Sequence, residues 1–191
     1  MFRVIFLILL TIFSSLAVAT DYIMIPHVKA GLIQAGWDMN DVKAKLKPHD
    51  YKRSQEIEND GGVLEVLTLF PNSKNRLMVE LSGKDNNLTL GKTCQIGSLW
   101  KTTSNLKVGS SLAEVEAVNG RSVIISGWGW DFGGEMTSNR GGYYDGPMLW
   151  FSQPAKLTEK YMGDMSIDSN LLANRENIYI KCIWVRLKKA A

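Results

Sequence analysis

The sequence predicts an α+β fold made of two tandem helix-on-antiparallel-sheet repeats packed together. A short helix-start pattern occurs twice, strand-like runs follow each copy, and one cysteine lies in each half. We divide the chain into a signal peptide over residues 1–19, a first α/β repeat over 20–85 and a second repeat over 86–191. The second repeat contains a Gly- and aromatic-rich loop and the C-terminal strand.

The first nineteen residues have the organisation of a secretory signal peptide. Arg3 forms a basic start, residues 4–13 are apolar, and Ala17-Val18-Ala19 supplies a small-x-small cleavage pattern. The apolar run is shorter than the ~20 residues that a membrane-spanning helix needs. The alternative is an uncleaved N-terminal anchor. We expect cleavage after Ala19, a periplasmic or secreted protein, and no stable membrane insertion afterwards.

The composition favours a globular protein of ordinary size. The chain has 191 residues, of which 45% are hydrophobic, so a disordered chain is not expected. The formal net charge is only +3, and the one basic cluster is the C-terminal run 186–189. A solvated chain end explains that run better than a nucleic-acid-binding patch. We therefore expect no nucleic-acid partner.

The two cysteines, Cys94 and Cys182, favour a disulfide. An even cysteine count in an exported protein is typical of disulfide pairing. Each cysteine also shares its strand parity with apolar neighbours. The alternative is two separate buried thiols that act as small apolar side chains. A bridge would join the two halves of the chain.

The repeated unit spans residues 31–46 and 104–120. When Gly36 is aligned with Gly109, Val42 falls on Val115. Each copy has an extended apolar lead-in, a Gly turn, a polar N-cap and a short helix. The pattern therefore predicts two helices that bury equivalent apolar positions.

The N-caps of these two helices differ in strength. Ser111 and Glu114 have the spacing of a capping box, and Gly120 supplies a C-terminal stop. In the first copy Asp38 is the expected N-cap, and Asp41 makes a weaker box.

Strand-like runs follow both helices. Runs 63–70 and 76–81 predict a hairpin with a five-residue loop. In the second copy, runs 123–126 and 148–152 are expected to take similar parts. The last run, 177–187, is apolar on both parities, which predicts a central strand covered on both faces.

Three further segments complete the organisation. Residues 155–162 are predicted as a weak helix and residues 168–173 as a short turn. Residues 83–92 are the one candidate joint between the repeats.

The helix-start motif of residues 106–120 resembles the repeat of small bacterial envelope modules. Such modules occur in SmpA-type outer-membrane-assembly lipoproteins and in β-lactamase-inhibitor-protein-like domains. The run 107–134, with its Gly-Trp-Asp-Phe-Gly-Gly segment at 129–134, is similar to exported bacterial proteins of unassigned function. The resemblance implies an α+β repeat fold, an exported product and no enzyme chemistry. The chain lacks the anchoring cysteine of the lipoprotein type.

The Gly-rich segment 127–147 is the candidate binding region. It combines aromatic rings, glycines and charges, which are ingredients of a contact surface for a protein or glycan. The alternative is a long hairpin whose aromatic rings fold back onto the core. The candidate binding residues are Trp128, Trp130, Asp131, Arg140, Tyr143 and Tyr144.

Catalytic chemistry has a weaker basis in the sequence. Asp131, Glu135 and Asp145 are the carboxylates of the same segment, and their spacing does not match a calcium-binding EF-hand loop. No catalytic residue, metal or cofactor is predicted. The leading hypothesis is a non-enzymatic exported module that binds a protein or a cell-envelope component. The alternative is a hydrolase of envelope glycans that uses carboxylates of the 127–147 loop.

Overall fold

The computed structural model describes residues 21–57, 61–82 and 86–188. The predicted signal peptide lies outside these residues. None of the described helices has both the length and the apolar character needed to cross a membrane. The predicted α+β class is confirmed, because two helices accompany three sheets.

The helices are α1 (Met39–Lys45) and α2 (Leu112–Asn119). The strands of the first half are β1 (Ile23–Ile25), β2 (Lys29–Ala30), β3 (Ile33–Gln34), β4 (Tyr51–Ile57), β5 (Val63–Leu69), β6 (Leu77–Ser82) and β7 (Asn87–Thr93). The strands of the second half are β8 (Lys101–Thr102), β9 (Ile124–Ser126), β10 (Met136–Ser138), β11 (Met148–Phe151), β12 (Ser166–Asp168) and β13 (Ile180–Arg186). Short 3-10 turns cover Pro48–Asp50, Glu159–Tyr161, Ser169–Leu171 and Arg175–Asn177.

A six-stranded antiparallel sheet is the centre of the fold. Its strand order is β11-β13-β7-β6-β5-β4. Strands β4 to β7 form a meander, and β5 and β6 make the hairpin that the sequence predicts. Strand β13 pairs with β7 on one side and with β11 on the other, so both halves of the chain contribute to this sheet.

The two faces of the six-stranded sheet have different roles. The inner face carries fully buried aliphatic side chains such as Leu67, Val79, Leu149 and Ile183. Because side chains alternate along a strand, the neighbouring positions point to the outer face. That outer face carries half-buried aromatic and charged residues.

Both helices begin with a capping box. The Asp38 side chain accepts from the backbone N–H of Asp41, and the Ser111 side chain accepts from that of Glu114. In each box the carboxylate of the third helical residue accepts a hydrogen bond from the backbone N–H of the N-cap residue. Two backbone N–H groups that have no partner within the helix are therefore satisfied. Both predicted helix starts are therefore present, and the first box is complete.

The strands after the two helices are arranged differently. Four strands of the large sheet follow α1, whereas β9 lies with β10 and β12 in a separate three-stranded sheet. A further small sheet has the order β3-β2-β1-β8, in which β1 and β8 are parallel. Strand β9 thus pairs with β10 and β12, and β11 pairs with β13. The expectation that 123–126 and 148–152 repeat the first hairpin is wrong.

Three other expectations need correction. Residues 155–162 contain only the 3-10 turn at Glu159–Tyr161 and no α-helix. Residues 87–92, predicted as part of a joint, belong to β7 inside the large sheet. Strand β13 is central as predicted, but one of its faces is open, because Arg186 is exposed and Trp184 is only half-buried.

The disulfide between Cys94 and Cys182 is confirmed, with 4.1 Å between the two Cα atoms. Thr93 pairs with Ile183, so Cys94 follows β7 at the position beside Cys182 on β13. The bridge therefore reinforces a strand pair whose members lie 88 residues apart in the sequence.

We predict that the double variant Cys94→Ala/Cys182→Ala loses about 4 kcal/mol of unfolding free energy, because the denatured chain is freed from a long covalent loop. Urea unfolding of the oxidised protein and the variant measures this difference. A reductant should lower the stability of the natural protein to that of the variant and leave the variant unchanged. Equal stability of all four samples would contradict the prediction.

Candidate functional site

The Gly-rich segment 127–147 is fastened to the end of α2 by one buried amide. Asn119 is fully buried, and its side-chain nitrogen donates to the carbonyl oxygen of Asn139 at 2.9 Å. Its side-chain oxygen accepts from the backbone N–H of Tyr144 at 3.1 Å. The second half of the segment is therefore held in place by hydrogen bonds to the scaffold.

Trp128 and Tyr144, two of the six predicted contact residues, lie in the core. Their exposed fractions are 4% and 3%. The Tyr144 hydroxyl donates to the carbonyl oxygen of Pro147 at 2.5 Å, and burial raises the pKa of this tyrosine well above its ordinary value. A partner cannot reach either ring. Both assignments are corrected to core positions.

Trp130 and Tyr143 remain accessible, at 36% and 87% exposed. The shared parity of Trp128 and Trp130 does not place their rings on one side, because Gly129 adopts a φ of 87° and the chain turns there. The Trp130 ring meets Phe132 edge-on, with 5.3 Å between ring centroids. Tyr143 lies elsewhere, beside Gly120 at the end of α2.

Arg140 and Asp131 are the charged members of the predicted set. Arg140 makes an ion pair with Asp168. The backbone N–H of Asn170 and, to a smaller extent, Ser122 and Arg140 hold the pKa of Asp168 below its usual range. Arg140 is thereby tied to the 166–170 region, whereas Asp131 is exposed between Trp130 and Phe132.

A cleft lies beside this segment, on the outer face of the six-stranded sheet. Its volume is about 590 Å³. We call it the sheet-face cleft, and its lining residues are His27, Glu80, Thr89, Leu90, Phe132, Glu135, Met148, Trp150, Trp184, Arg186 and Lys188. Phe132 and Glu135 belong to the Gly-rich segment, so one wall of the cleft comes from the region that the sequence singles out.

Strand register builds the floor of the sheet-face cleft. Met148 pairs with Trp184, and Trp184 pairs with Lys92 on the next strand. The rings of Trp150 and Trp184 stack with 4.3 Å between centroids, and Lys92 Nζ lies 4.5 Å from the Trp184 centroid. Trp184 is thus flanked by a ring from β11 and an ammonium group from β7.

The N-terminal turn closes one end of the sheet-face cleft. The backbone N–H of His27 donates to the carbonyl oxygen of Arg186 at 2.7 Å. His27 Nδ1 lies 2.8 Å from the carbonyl oxygen of Lys188. These contacts bring His27 next to Arg186 and Lys188 at the end of β13, so three basic side chains lie close together there.

Glu135 brings a partly desolvated carboxyl group to the same cleft. Burial raises its pKa above the ordinary value, and the positive charge of Arg186 partly opposes that rise. Its backbone is fixed by a bridge to Trp150 and by the Ser126 N–H, which donates to the Glu135 carbonyl oxygen at 2.8 Å. Perturbed carboxyl groups in clefts are typical of functional sites.

A smaller cavity of about 240 Å³ adjoins the sheet-face cleft, and both are lined by Glu80 and Trp184. It extends over the outer face to Glu56 and Ile57 on β4. The outer face therefore offers a surface that runs across the strands from β11 towards β4.

Most of the cleft residues were not predicted from the sequence. Trp184 and Arg186 lie in a strand that was predicted to be covered on both faces. Trp150 lies in the predicted strand run 148–152, and Glu80 lies in the predicted hairpin. The alternation Trp184-x-Arg186-x-Lys188 was the available signal, since it places an aromatic ring and two charges on one parity of the last strand.

No protein-family model, no curated protein and no solved structure matches this chain. The resemblance to SmpA-type and β-lactamase-inhibitor-protein-like modules stays a prediction. Within residues 21–57, 61–82 and 86–188, no group of three or more His, Cys, Asp and Glu side chains is placed to hold a metal ion.

We predict that Glu135→Gln melts about 1–3 °C higher than the natural protein at pH 7. A carboxyl whose folded-state pKa is raised favours folding in its neutral form, and this advantage is lost as the pH rises through the folded pKa. The amide stays neutral at all pH values, so the difference should vanish near pH 3.5, below the ordinary glutamate pKa of about 4.3.

Thermal melts at several pH values measure this effect. Glu159→Gln removes the same charge from an exposed 3-10 turn and is the matched control. The quantity compared is the melting temperature of Glu135→Gln minus that of the natural protein. A value that is lower at pH 7 than at pH 3.5 would contradict the prediction.

Proposed function

We propose that this chain is an exported, non-enzymatic binding module that holds a segment of a partner protein in the sheet-face cleft. The observation that carries the proposal is the cleft itself, in which apolar and aromatic side chains are surrounded by charges of both signs. Such a mixture of an apolar floor and a polar rim is typical of protein-contact surfaces. The expected signal peptide and the disulfide support a periplasmic or secreted location.

The aromatic arrangement favours a peptide over a glycan. Sugar rings need a free aromatic face, and the Trp184 ring is already flanked by Trp150 and Lys92. Leu90 and Met148 add apolar surface that suits aliphatic side chains. Arg186, which is exposed and lines the cleft, can orient a bound segment through charged hydrogen bonds.

The Gly-rich segment contributes a wall and a rim to this proposed site. Phe132 is 54% exposed and lines the cleft, and its ring makes an edge-to-face contact with that of Trp130. Asp131 lies between them. Arg140 and Tyr143, at the α2 end of the segment, are outside the residues that line the cleft.

We predict that Phe132→Ala weakens the binding of a selected peptide by about thirtyfold, as expected for the loss of an aromatic anchor. Peptides are first selected from a random library displayed on phage, with the oxidised mature protein as bait. Affinities are then measured by the change in tryptophan fluorescence, since Trp150 and Trp184 line the cleft.

Tyr143→Ala is the matched control for this experiment. It removes an exposed aromatic ring from the same Gly-rich segment, but outside the cleft, and should leave the affinity unchanged. Equal losses in the two variants, or a loss only in Tyr143→Ala, would refute the cleft as the site. Circular dichroism verifies that both variants are folded.

A second candidate function is hydrolysis of an envelope glycan. One observation favours it: Glu135, whose pKa is raised by burial, and Glu80 line the same cleft. A carboxylic acid and a carboxylate that flank a substrate are the groups that glycosidases use. Asp131 and Asp145, the other carboxylates of the segment, are exposed.

For this alternative we predict release of reducing ends from purified envelope glycan, with at least a hundredfold loss of rate in Glu135→Gln. Glu159→Gln is again the control and should keep the natural rate. Absence of product with the natural protein would exclude the hydrolase hypothesis for that substrate and leave the binding module as the proposed function.

A further inference from the structure

The two edges of the six-stranded sheet differ. At the β11 edge, the backbone N–H of Phe151 donates to the Gly134 carbonyl oxygen at 2.8 Å, and Glu135 bridges Trp150. At the other edge, β4 pairs with β5 along all of its length. No strand of the part of the chain that the structure describes pairs with the outer side of β4. Such an edge is a template for another strand.

The sequence of β4 is self-complementary in charge about its middle residue. Lys52 and Glu56 lie two positions before and after Ser54. Antiparallel pairing of two identical strands about Ser54 places each Lys52 opposite the Glu56 of the other copy. Opposite charges in directly facing positions stabilise antiparallel pairs.

We propose that β4 is a dimerisation edge, at which a second copy of this chain pairs antiparallel about a two-fold axis that passes between the two Ser54 residues. An isologous interface of this kind needs a patch that complements itself, which β4 provides. Two six-stranded sheets then join into one continuous sheet.

The remaining pairs of the proposed interface are compatible with it. Tyr51 faces Ile57, whose side chain is 82% exposed in the single chain and gains an apolar neighbour. Arg53 faces Gln55, so no like charges are opposed. Both Arg53 and Gln55 already contact Glu65, at 2.7 Å each, which fixes their side chains before association.

Neighbouring registers are less favourable. An axis through Arg53 would set two guanidinium groups opposite each other, which is destabilising. An axis between the two Gln55 residues would set Arg53 opposite Ile57 and Ser54 opposite Glu56, so the apolar Tyr51–Ile57 pair would be lost. The register about Ser54 is therefore favoured by its opposite-charge pairs and by its apolar pair.

Dimerisation also affects the proposed binding surface. A two-fold axis perpendicular to the sheet leaves the outer faces of both copies on the same side. The 240 Å³ cavity reaches Glu56 and Ile57, so it lies beside this axis. The second copy would therefore extend the wall of that cavity and bring two sheet-face clefts onto one surface.

The experiment is sedimentation equilibrium of the oxidised mature protein over a range of concentrations. The natural protein is expected to show a monomer–dimer equilibrium. Lys52→Glu replaces two attractive pairs with two repulsive ones and should weaken the dimer at least tenfold. Glu56→Lys should weaken it similarly.

The charge-swapped double variant Lys52→Glu/Glu56→Lys restores both pairs and should recover dimerisation to within about threefold. Lys74→Glu makes the same charge change in an exposed turn between β5 and β6 and is the matched control. It should dimerise like the natural protein.

A natural protein that stays monomeric up to about 1 mM would overturn the proposal. So would a dimer that is insensitive to both single variants, or a double variant that remains as weak as the single ones. Circular dichroism confirms that each variant is folded. These results do not depend on peptide binding at the sheet-face cleft, so the two proposals fail separately.

Discussion

The insertion of β13 between β7 and β11 is the interaction on which the rest of the structure depends. The backbone N–H of Gly36, before α1, donates to Leu187 just beyond one end of β13, and that of Gly109, before α2, donates to Ile180 at the other end. The disulfide and the N-terminal turn at His27 are attached to the same strand. The strand β13 therefore connects both helix starts, the turn at His27 and the two parts of the central sheet.

This dependence has a consequence for folding. Pairing of β13 with β7 joins segments that are far apart in the sequence, and such contacts carry a loop-closure entropy cost before they contribute stability. The β4–β7 meander is local and can form without that cost. The Cys94–Cys182 bridge lies at the long-range pair, where a covalent bond limits the denatured chain most effectively.

The same pairing gives the sheet two unlike faces. On the inner side, Val185 and Ile183 complete the core. On the outer side, Trp184 and Arg186 meet groups from the strands on both sides, including the Trp150 ring. The stability of the fold and the geometry of the cleft therefore share one cause. A change in the register of β13 would exchange the two faces and remove both.

The sequence by itself determined the features that depend on neighbouring residues. Both capping boxes, the β5–β6 hairpin and the α+β class follow from spacing over a few positions, because local hydrogen bonds and periodicity dictate them. The disulfide could also be predicted from the sequence, since only two cysteines are present. By contrast, the parity pattern did not predict the turn at Gly129, which places Trp128 in the core and Trp130 on the surface.

Only the tertiary structure decided which side chains meet. The sheet-face cleft combines residues from the N-terminal turn, four strands and the Gly-rich segment, and no local pattern states that β13 lies between β7 and β11. Burial of Tyr144 and exposure of Tyr143 likewise depend on the Asn119 side chain at the end of α2. The physical reason is that periodicity reports which face of a strand is apolar, whereas strand order and register are set by packing over the whole chain.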